Sequence, residues 1–441
     1  MMAIRALAVT LPALVQATDL PGQSGGPRLR FAPFVLELTD GTQVAAELGR
    51  LTVPVAEFQP FFSALRTVGD VVVIDYRGSG MSSPRLDCPA SGSVHPNAFL
   101  ARDSALALFR DVAEGCARHL RTSGADVAGY TWVEVADDVS DLRRALGAGR
   151  IHLVGFSSGT HAALATLRRH ESEIARVALL GTEGPDHTRK LPSYVDRQLR
   201  QIDRLVAADS ALGAAIPSFV RLVDSVLTRL DREPVTVEVR VRAMQERVRV
   251  PIGRFALEFL TAKSLSGPDE FGVLPSLYYT IARGDLSMLT RAVQRWVNRP
   301  PPSALTYVMD GASGVSPARE ARIAREASDS VLRDAANFPF PEIRDAWHYE
   351  DLGAAYRAPL RTGVPTLFVT GELDGNTPPH QAEEVRHGFR RSTHLVIKNG
   401  GHSSVMTTPA ASAAIAAFLR GEGVDRVEIS VPRPTFAPIP R

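Results

Sequence analysis

The 441-residue chain has little cysteine, no long apolar run and no excess of charge of either sign. Its two cysteines, Cys88 and Cys116, have no histidine cluster beside them, which argues against a structural metal module. No apolar stretch reaches the roughly 20 residues that a membrane-spanning helix needs. Lys and Arg total 50 against 48 Asp and Glu, a net charge of +2 with His neutral. The basic pairs Arg143-Arg144, Arg168-Arg169 and Arg390-Arg391 lie among acidic residues. They read as solvated helix surface, and no basic face calls for nucleic acid. Phosphate loop, dinucleotide fingerprint and metal-ligand spacing are all missing, so no cofactor and no metal is expected.

What is present is the composition of a packed globular protein, 44% apolar and 22% charged. Arg5 precedes a weakly apolar run, Ala6 to Val15, and Val15-Gln16-Ala17 makes a small-residue cleavage site. Residues 1–26 therefore read as a short export leader and a Gly/Pro/Ser-rich linker. An even cysteine count suits one disulfide in an exported (periplasmic or secreted) protein. Such a bridge would close a loop of about 28 residues and add roughly 3 kcal/mol. The competing picture is a cytoplasmic chain with a frayed N-terminus and two buried thiols.

Phe31 to Val55 alternates in polarity around Asp40-Gly41 and predicts an antiparallel hairpin. Five short apolar runs follow: Asp70–Asp75, Ile151–Gly155, Val177–Gly181, Thr366–Gly371 and His394–Ile397. Runs of this kind fit strands buried on both faces of a parallel sheet. Helical stretches at 135–146, 160–169, 381–389 and 410–419 alternate with them, as an α/β fold requires. Between the third and fourth of these strands the chain changes character. Helices are predicted at 194–207, 218–230, 255–264, 286–297 and 317–327, with a small hairpin over 235–250. This insertion reads as a largely helical lid. Residues 421–441, ending in a Pro-rich run, read as a loosely packed tail.

The chemistry-bearing residues lie at strand ends. Gly155-Phe156-Ser157-Ser158-Gly159 joins a buried strand to a helix, the pattern of a nucleophile elbow. The glycines let the two backbones cross closely, and the turn lifts the Ser157 hydroxyl above the sheet edge. The N–H of Ser158, at the head of the helix, is placed to receive a developing oxyanion. A serine hydroxyl needs a base, and a neutral base needs an orienting carboxylate. His402, in Asn399-Gly400-Gly401-His402-Ser403, and Asp374, in Gly371-Glu372-Leu373-Asp374-Gly375, both follow strands. The order Ser157, Asp374, His402 suits a serine nucleophile on an α/β sheet. His161, His152, Glu372, Glu183 and Asp186 are the competing side chains, less well placed for these roles. Glu183, just past the third strand, is also a candidate for binding a substrate ammonium.

Several segments together resemble one family. Asp75-Tyr76-Arg77-Gly78-Ser79-Gly80-Met81-Ser82 is similar to the Asp-x-Arg-Gly-x-Gly-x-Ser turn of the proline iminopeptidase and tripeptidyl aminopeptidase group of α/β-hydrolases. Leu51-Thr52-Val53-Pro54, Gly155 to Thr160, Thr366 to Pro378 and Gly400-Gly401-His402 resemble that group's early strand, elbow, acid segment and histidine loop. The resemblance runs over roughly residues 45–420 and is weakest in the lid. It implies an α/β-hydrolase core over 27–188 and 351–420, a lid over 189–350, and a peptidase or related ester/amide hydrolase, often exported. Cys88 and Cys116 fall where exported relatives often carry cysteines.

Two departures stand out. Ser158 replaces a bulkier residue that is common in the group. More seriously, the strand and Gly-Gly-Pro-Gly-type loop that would precede Asp75 and supply a second oxyanion N–H are missing. Pro54 to Pro60 runs almost directly into the helix before Val71, and Gly25-Gly26-Pro27 follows no strand pattern. The expected activity is aminopeptidase-like cleavage of small peptides through a Ser-His-Asp triad. The alternatives are a carboxylesterase acting on small esters and an impaired remnant of the hydrolase fold.

Overall fold

The computed structural model describes residues 6–10, 31–37 and 43–49 as backbone. It also describes 58–440, apart from residues 81, 83–84, 89–95, 243–244, 299–302, 348 and 425–426. Its strands are β1 (Ala6–Thr10), β2 (Phe31–Glu37), β3 (Gln43–Gly49), β4 (Asp70–Val73), β5 (Ile151–Phe156), β6 (Ile174–Leu180), β7 (Val235–Val241), β8 (Glu246–Ile252), β9 (Thr366–Gly371), β10 (Ser392–Lys398) and β11 (Glu428–Ser430).

Seven of these form one sheet in the order β11-β10-β9-β6-β5-β1-β4, and every pairing in it is parallel. All five apolar runs singled out in the sequence are strands of this sheet. β5 and β9 are buried along their whole length, which is why they lack polar alternation. Helices Trp132–Ala145, Gly159–His170, Pro379–Arg386 and Pro409–Arg420 occupy the connections where helical periodicity placed them.

The gap left by the missing strand is filled from an unexpected place. β1, cut from the apolar run that reads as a leader, lies between β4 and β5. Ala6 pairs with Asp70 and Val9 with Val73 on one side; Leu7 pairs with His152 and Thr10 with Gly155 on the other. A central parallel strand must saturate N–H and C=O groups on both edges, and β1 is paired on both. Gly25 to Pro27 and Leu51 to Pro54 lie outside the described residues.

β2 and β3 form the expected antiparallel hairpin, and β7 and β8 form the second. The insertion between β6 and β9 carries helices Pro192–Ala208, Phe219–Arg232, Arg254–Lys263, Ser287–Val297 and Pro317–Ala327, close to the predicted ones. It adds Leu274–Ala282 and Ala304–Ser313, which the pattern did not single out. This lid has a hydrophobic core of its own, built on Leu199, Ile202, Phe219, Leu227, Leu257, Phe271, Tyr278 and Ile281.

Cys116, on helix Arg102–Thr122, is bonded to Cys88, with Cα atoms 5.0 Å apart. The C-terminal residues are not a loose tail. β11 pairs with β10, the Ala437 N–H donates to Gly272 O at 3.0 Å, and Ser276 Oγ donates to Ala437 O at 2.6 Å. No described helix is long and apolar enough to cross a membrane.

Candidate active site

The elbow is built as its glycines require. Ser157 sits at φ 53°, a left-handed conformation uncommon for a side-chain-bearing residue, between β5 and helix Gly159–His170. A Cβ on Gly155 would lie 2.6 Å from Gly159 O, so strand and helix could not cross there with any larger residue. The turn is held by Ser157 N–H donating to Leu180 O at 2.9 Å and by Thr160, whose N–H and hydroxyl both donate to Ser157 O. Ser158 caps the helix, so its N–H stands at the positive end of the helix dipole.

Asp374 and His402 arrive from loops after β9 and β10. The Asp374 carboxylate is fully buried and accepts His402 Nδ1 at 2.7 Å, Asn376 N–H at 2.8 Å, Thr377 N–H at 2.9 Å and the Thr377 hydroxyl at 2.5 Å. Burial would raise its pKa, but the His402 charge and these donors outweigh that and hold it below the ordinary value. His402 shows the mirror image. Burial pulls it down, yet Asp374 more than offsets this, Glu183 adds to it and Lys190 opposes, so its pKa lies above 6.5. Its Nε2 is buried and has no hydrogen-bond partner among the described residues. The ring lies against Phe156, 4.8 Å between centroids, and a Cβ on Gly181 would come within 3.2 Å of its Cε1. His402 thus packs on Phe156, the residue before Ser157, and on Gly181 after β6, without a hydrogen bond to the Ser157 hydroxyl. Contacts of this kind tighten in many enzymes only with substrate bound.

The competing residues are otherwise engaged. His161 is buried, stacks on Trp132 at 5.6 Å and is driven down to about 4, burial being the main cause; a neutral ring there serves packing. Glu372 accepts the Asn399 N–H at 3.0 Å, and Asp186 accepts the Ser316 hydroxyl at 2.7 Å. His152 is buried within β5.

Glu183 does lie beside the elbow, its N–H donating to Thr160 Oγ1 at 2.8 Å. Its carboxylate is already paired with the ammonium of Lys190 and sits 3.7 Å from His161 Nε2. Burial would raise its pKa, but Lys190 and His161 more than reverse that. Two lid side chains extend this charged group. Asp310 is pushed up to about 7 by burial, with Glu183 adding and Lys190 and Lys263 opposing. Lys263 has an exposed side chain whose ammonium donates to Ala336 O at 3.0 Å; its pKa is lowered, first by desolvation and then by Lys190. Sequence reading missed Lys190, Asp310 and Lys263, because nothing local ties lid residues to the elbow. Thr377 was visible inside the Gly-x-Leu-Asp-x-x-Thr-Pro segment, though its hydroxyl's role was not. Among the described residues no cluster of three or more potential metal ligands occurs.

Farther off, the Asp75–Ser82 turn is pinned by Arg77, which donates to Asp138 at 2.8 and 2.5 Å, to Glu134 at 3.1 Å and to Gly129 O at 2.7 Å. Gly80 is at φ 55°, and a Cβ there would strike the Asp75 carboxylate at 2.2 Å.

The sequence matches the α/β-hydrolase fold family over residues 55–409. No curated protein matches it. Among solved structures, an epoxide hydrolase from an endophytic Streptomyces is similar at 15% identity, covering 91% of this chain and 99% of that one, with a TM-score of 0.39. An esterase from Exiguobacterium antarcticum is similar at 15% identity, over 88% and 100%, with a TM-score of 0.38. A bromoperoxidase from Bacillus anthracis is similar at 13% identity, over 89% and 100%, with a TM-score of 0.37.

Proposed function

Given that the chain belongs to the α/β-hydrolase fold family, we propose that it is a serine hydrolase that forms an acyl-enzyme on Ser157. The Ser157 hydroxyl attacks an acyl carbon while His402 Nε2 takes its proton. Asp374 holds the imidazole through Nδ1 and stabilises the imidazolium. The proton then passes to the leaving group, and water, activated in the same way, releases the acyl group. The N–H of Ser158 is one oxyanion donor. The single observation that carries this reading is the buried 2.7 Å Asp374–His402 bond at the strand ends beside a serine at φ 53°.

The substrate is a small peptide or a small ester. Cleavage from a free N-terminus would use Glu183 to bind the α-ammonium. That carboxylate is already neutralised by Lys190, so an incoming ammonium must displace a lysine. This pairing favours the carboxylesterase reading within the same mechanism. The Cys88–Cys116 bridge supports an oxidising, extracytoplasmic location.

A fluorophosphonate probe tests the nucleophile. Labelling of the folded protein that vanishes in Ser157→Ala is expected, and folded wild-type protein that fails to label overturns the proposal. Parallel assays with small p-nitrophenyl esters, aminoacyl-p-nitroanilides and their N-acetylated forms decide the substrate. Hydrolysis of anilides only when the amine is free would establish the aminopeptidase reading.

A further inference from the structure

The lid makes contacts with the loops that carry Asp374 and His402 that a loosely hinged cover would not make. Asp374 is gripped on both chain neighbours. On one side, Gln198, on lid helix Pro192–Ala208 and only 3% exposed, donates its amide to Leu373 O at 2.7 Å. The Leu373 side chain itself belongs to the lid's hydrophobic core. On the other side, Gly375 N–H donates to Leu265 O, in the lid, at 2.9 Å. The next lid residue supports the base: His402 N–H donates to Ser266 O at 2.8 Å.

The approach is closed to side chains. A Cβ on Gly267 would lie 3.2 Å from Gly401 Cα, one on Gly401 would lie 2.6 Å from Gly267 Cα, and one on Gly375 would lie 2.6 Å from Leu265 O. The two catalytic loops are also joined to each other, Leu373 N–H donating to Gly400 O at 2.8 Å.

We propose that Leu265-Ser266-Gly267 and Gln198 form a fixed strap that positions His402 and Asp374, so that this part of the lid is structural support for the base and its acid and does not swing open. Lid motion at this end would break two backbone hydrogen bonds and a buried amide contact and pull Leu373 from its core. The strap acts through His402 and Asp374, so its residues are positioning residues. Opening of the site, where it occurs, is left to lid elements that do not touch these loops.

The inference rests on the Ser157–His402–Asp374 reading, and its test separates the two. Gly267→Ala inserts a methyl group against Gly401, and Gln198→Met removes the amide donor at similar volume. The Nδ1 proton of His402, bonded to a buried carboxylate, is expected to give a low-field proton NMR signal in the wild-type protein whether or not turnover occurs. In variants that still unfold cooperatively above the assay temperature, that signal is expected to shift or broaden. Fluorophosphonate labelling is expected to slow by roughly 10–100-fold, the usual consequence of a misplaced catalytic group. With a small ester, kcat should fall while KM stays put. The acid limb of the rate profile should move toward 6.5 as the Asp374 contact loosens, with Glu183, Lys190 and Glu270 the other charges facing His402.

Folded variants with an unchanged signal and unchanged labelling rate overturn the strap, as does an effect confined to KM. Should Gly267→Ala fail to fold, Gln198→Met alone decides by the same readouts. Wild-type protein that gives the low-field signal but never labels overturns the hydrolase reading and leaves the strap standing.

Discussion

At the scale of single residues, the site depends on charges that would be unfavourable if unpaired. Asp374 is fully buried, and its carboxylate stays ionised because His402, Asn376 and Thr377 together offset the loss of water. Its pKa is depressed, so the stability it contributes is present above the unfolded value near 3.8 and is lost as pH falls through the folded value. His402 is raised, so its pairing contributes fully below 6.5 and fades as pH rises through its folded pKa. Catalysis runs the other way, because only the neutral imidazole accepts the Ser157 proton. Acylation should therefore rise with pH through a midpoint above 6.5. Asp374→Asn is expected to cut turnover by about 10⁴-fold and to lower that midpoint. A pH series of kcat/KM for both proteins checks this, and an unchanged midpoint in the variant would mean that Asp374 does not set the His402 pKa. The types and order of these three residues were legible in the sequence because each sits in a short motif at a strand end. The partners of Glu183 were not. Lys190, its ion-pair partner, is seven positions away across the start of the lid, and Asp310, whose pKa Glu183 helps to raise, comes from a helix with no sequence relation to the elbow.

At the scale of elements, the elbow and the two glycine-rich loops share one requirement, the close crossing of backbones. Gly155→Ala would place a methyl group 2.6 Å from Gly159 O, backbone that has no room to move. The expected cost is about 1–3 kcal/mol of stability, with labelling of Ser157 lost or greatly slowed because strand and helix must part. Denaturant titration and probe kinetics on one preparation measure both effects. An alanine variant as stable and as reactive as wild type would show that the crossing has room for a side chain. Strand and helix assignments near the site were readable because β5, β6 and β9 are apolar runs ended by glycine, and the following helices carry 3.6-residue periodicity. Helix Ala304–Ser313 was missed, although most of it is buried. A helix covered on several sides has no polar face, so it shows no amphipathic period.

At the scale of the whole molecule, the sheet is complete because the N-terminal segment enters it. Removal of residues 1–17, as cleavage after Ala17 would achieve, takes away β1 and leaves β4 and β5 with unpaired edges in the sheet interior. Such a truncation is expected to lower the unfolding midpoint by more than about 10 °C or to yield aggregated protein. Calorimetry of the truncated and full chains tests this, together with the intact mass of protein recovered outside the cytoplasm. A truncated chain as stable as the full one would mean that β1 is dispensable.

The sequence by itself determined the class of fold, the nucleophile elbow and the order of Ser157, Asp374 and His402. Those features follow from local burial and from backbone crossings that only glycine permits. It also showed that one strand was missing from its usual place. Tertiary structure alone decided what fills that place, since nothing in the composition of Ala6 to Thr10 marks it as a strand of the main sheet, and only its pairing with β4 and β5 puts it there. It likewise decided that Lys190 neutralises Glu183 and that the lid holds Asp374 from both sides. Both depend on contacts between residues distant in the chain, where neither periodicity nor spacing carries a signal.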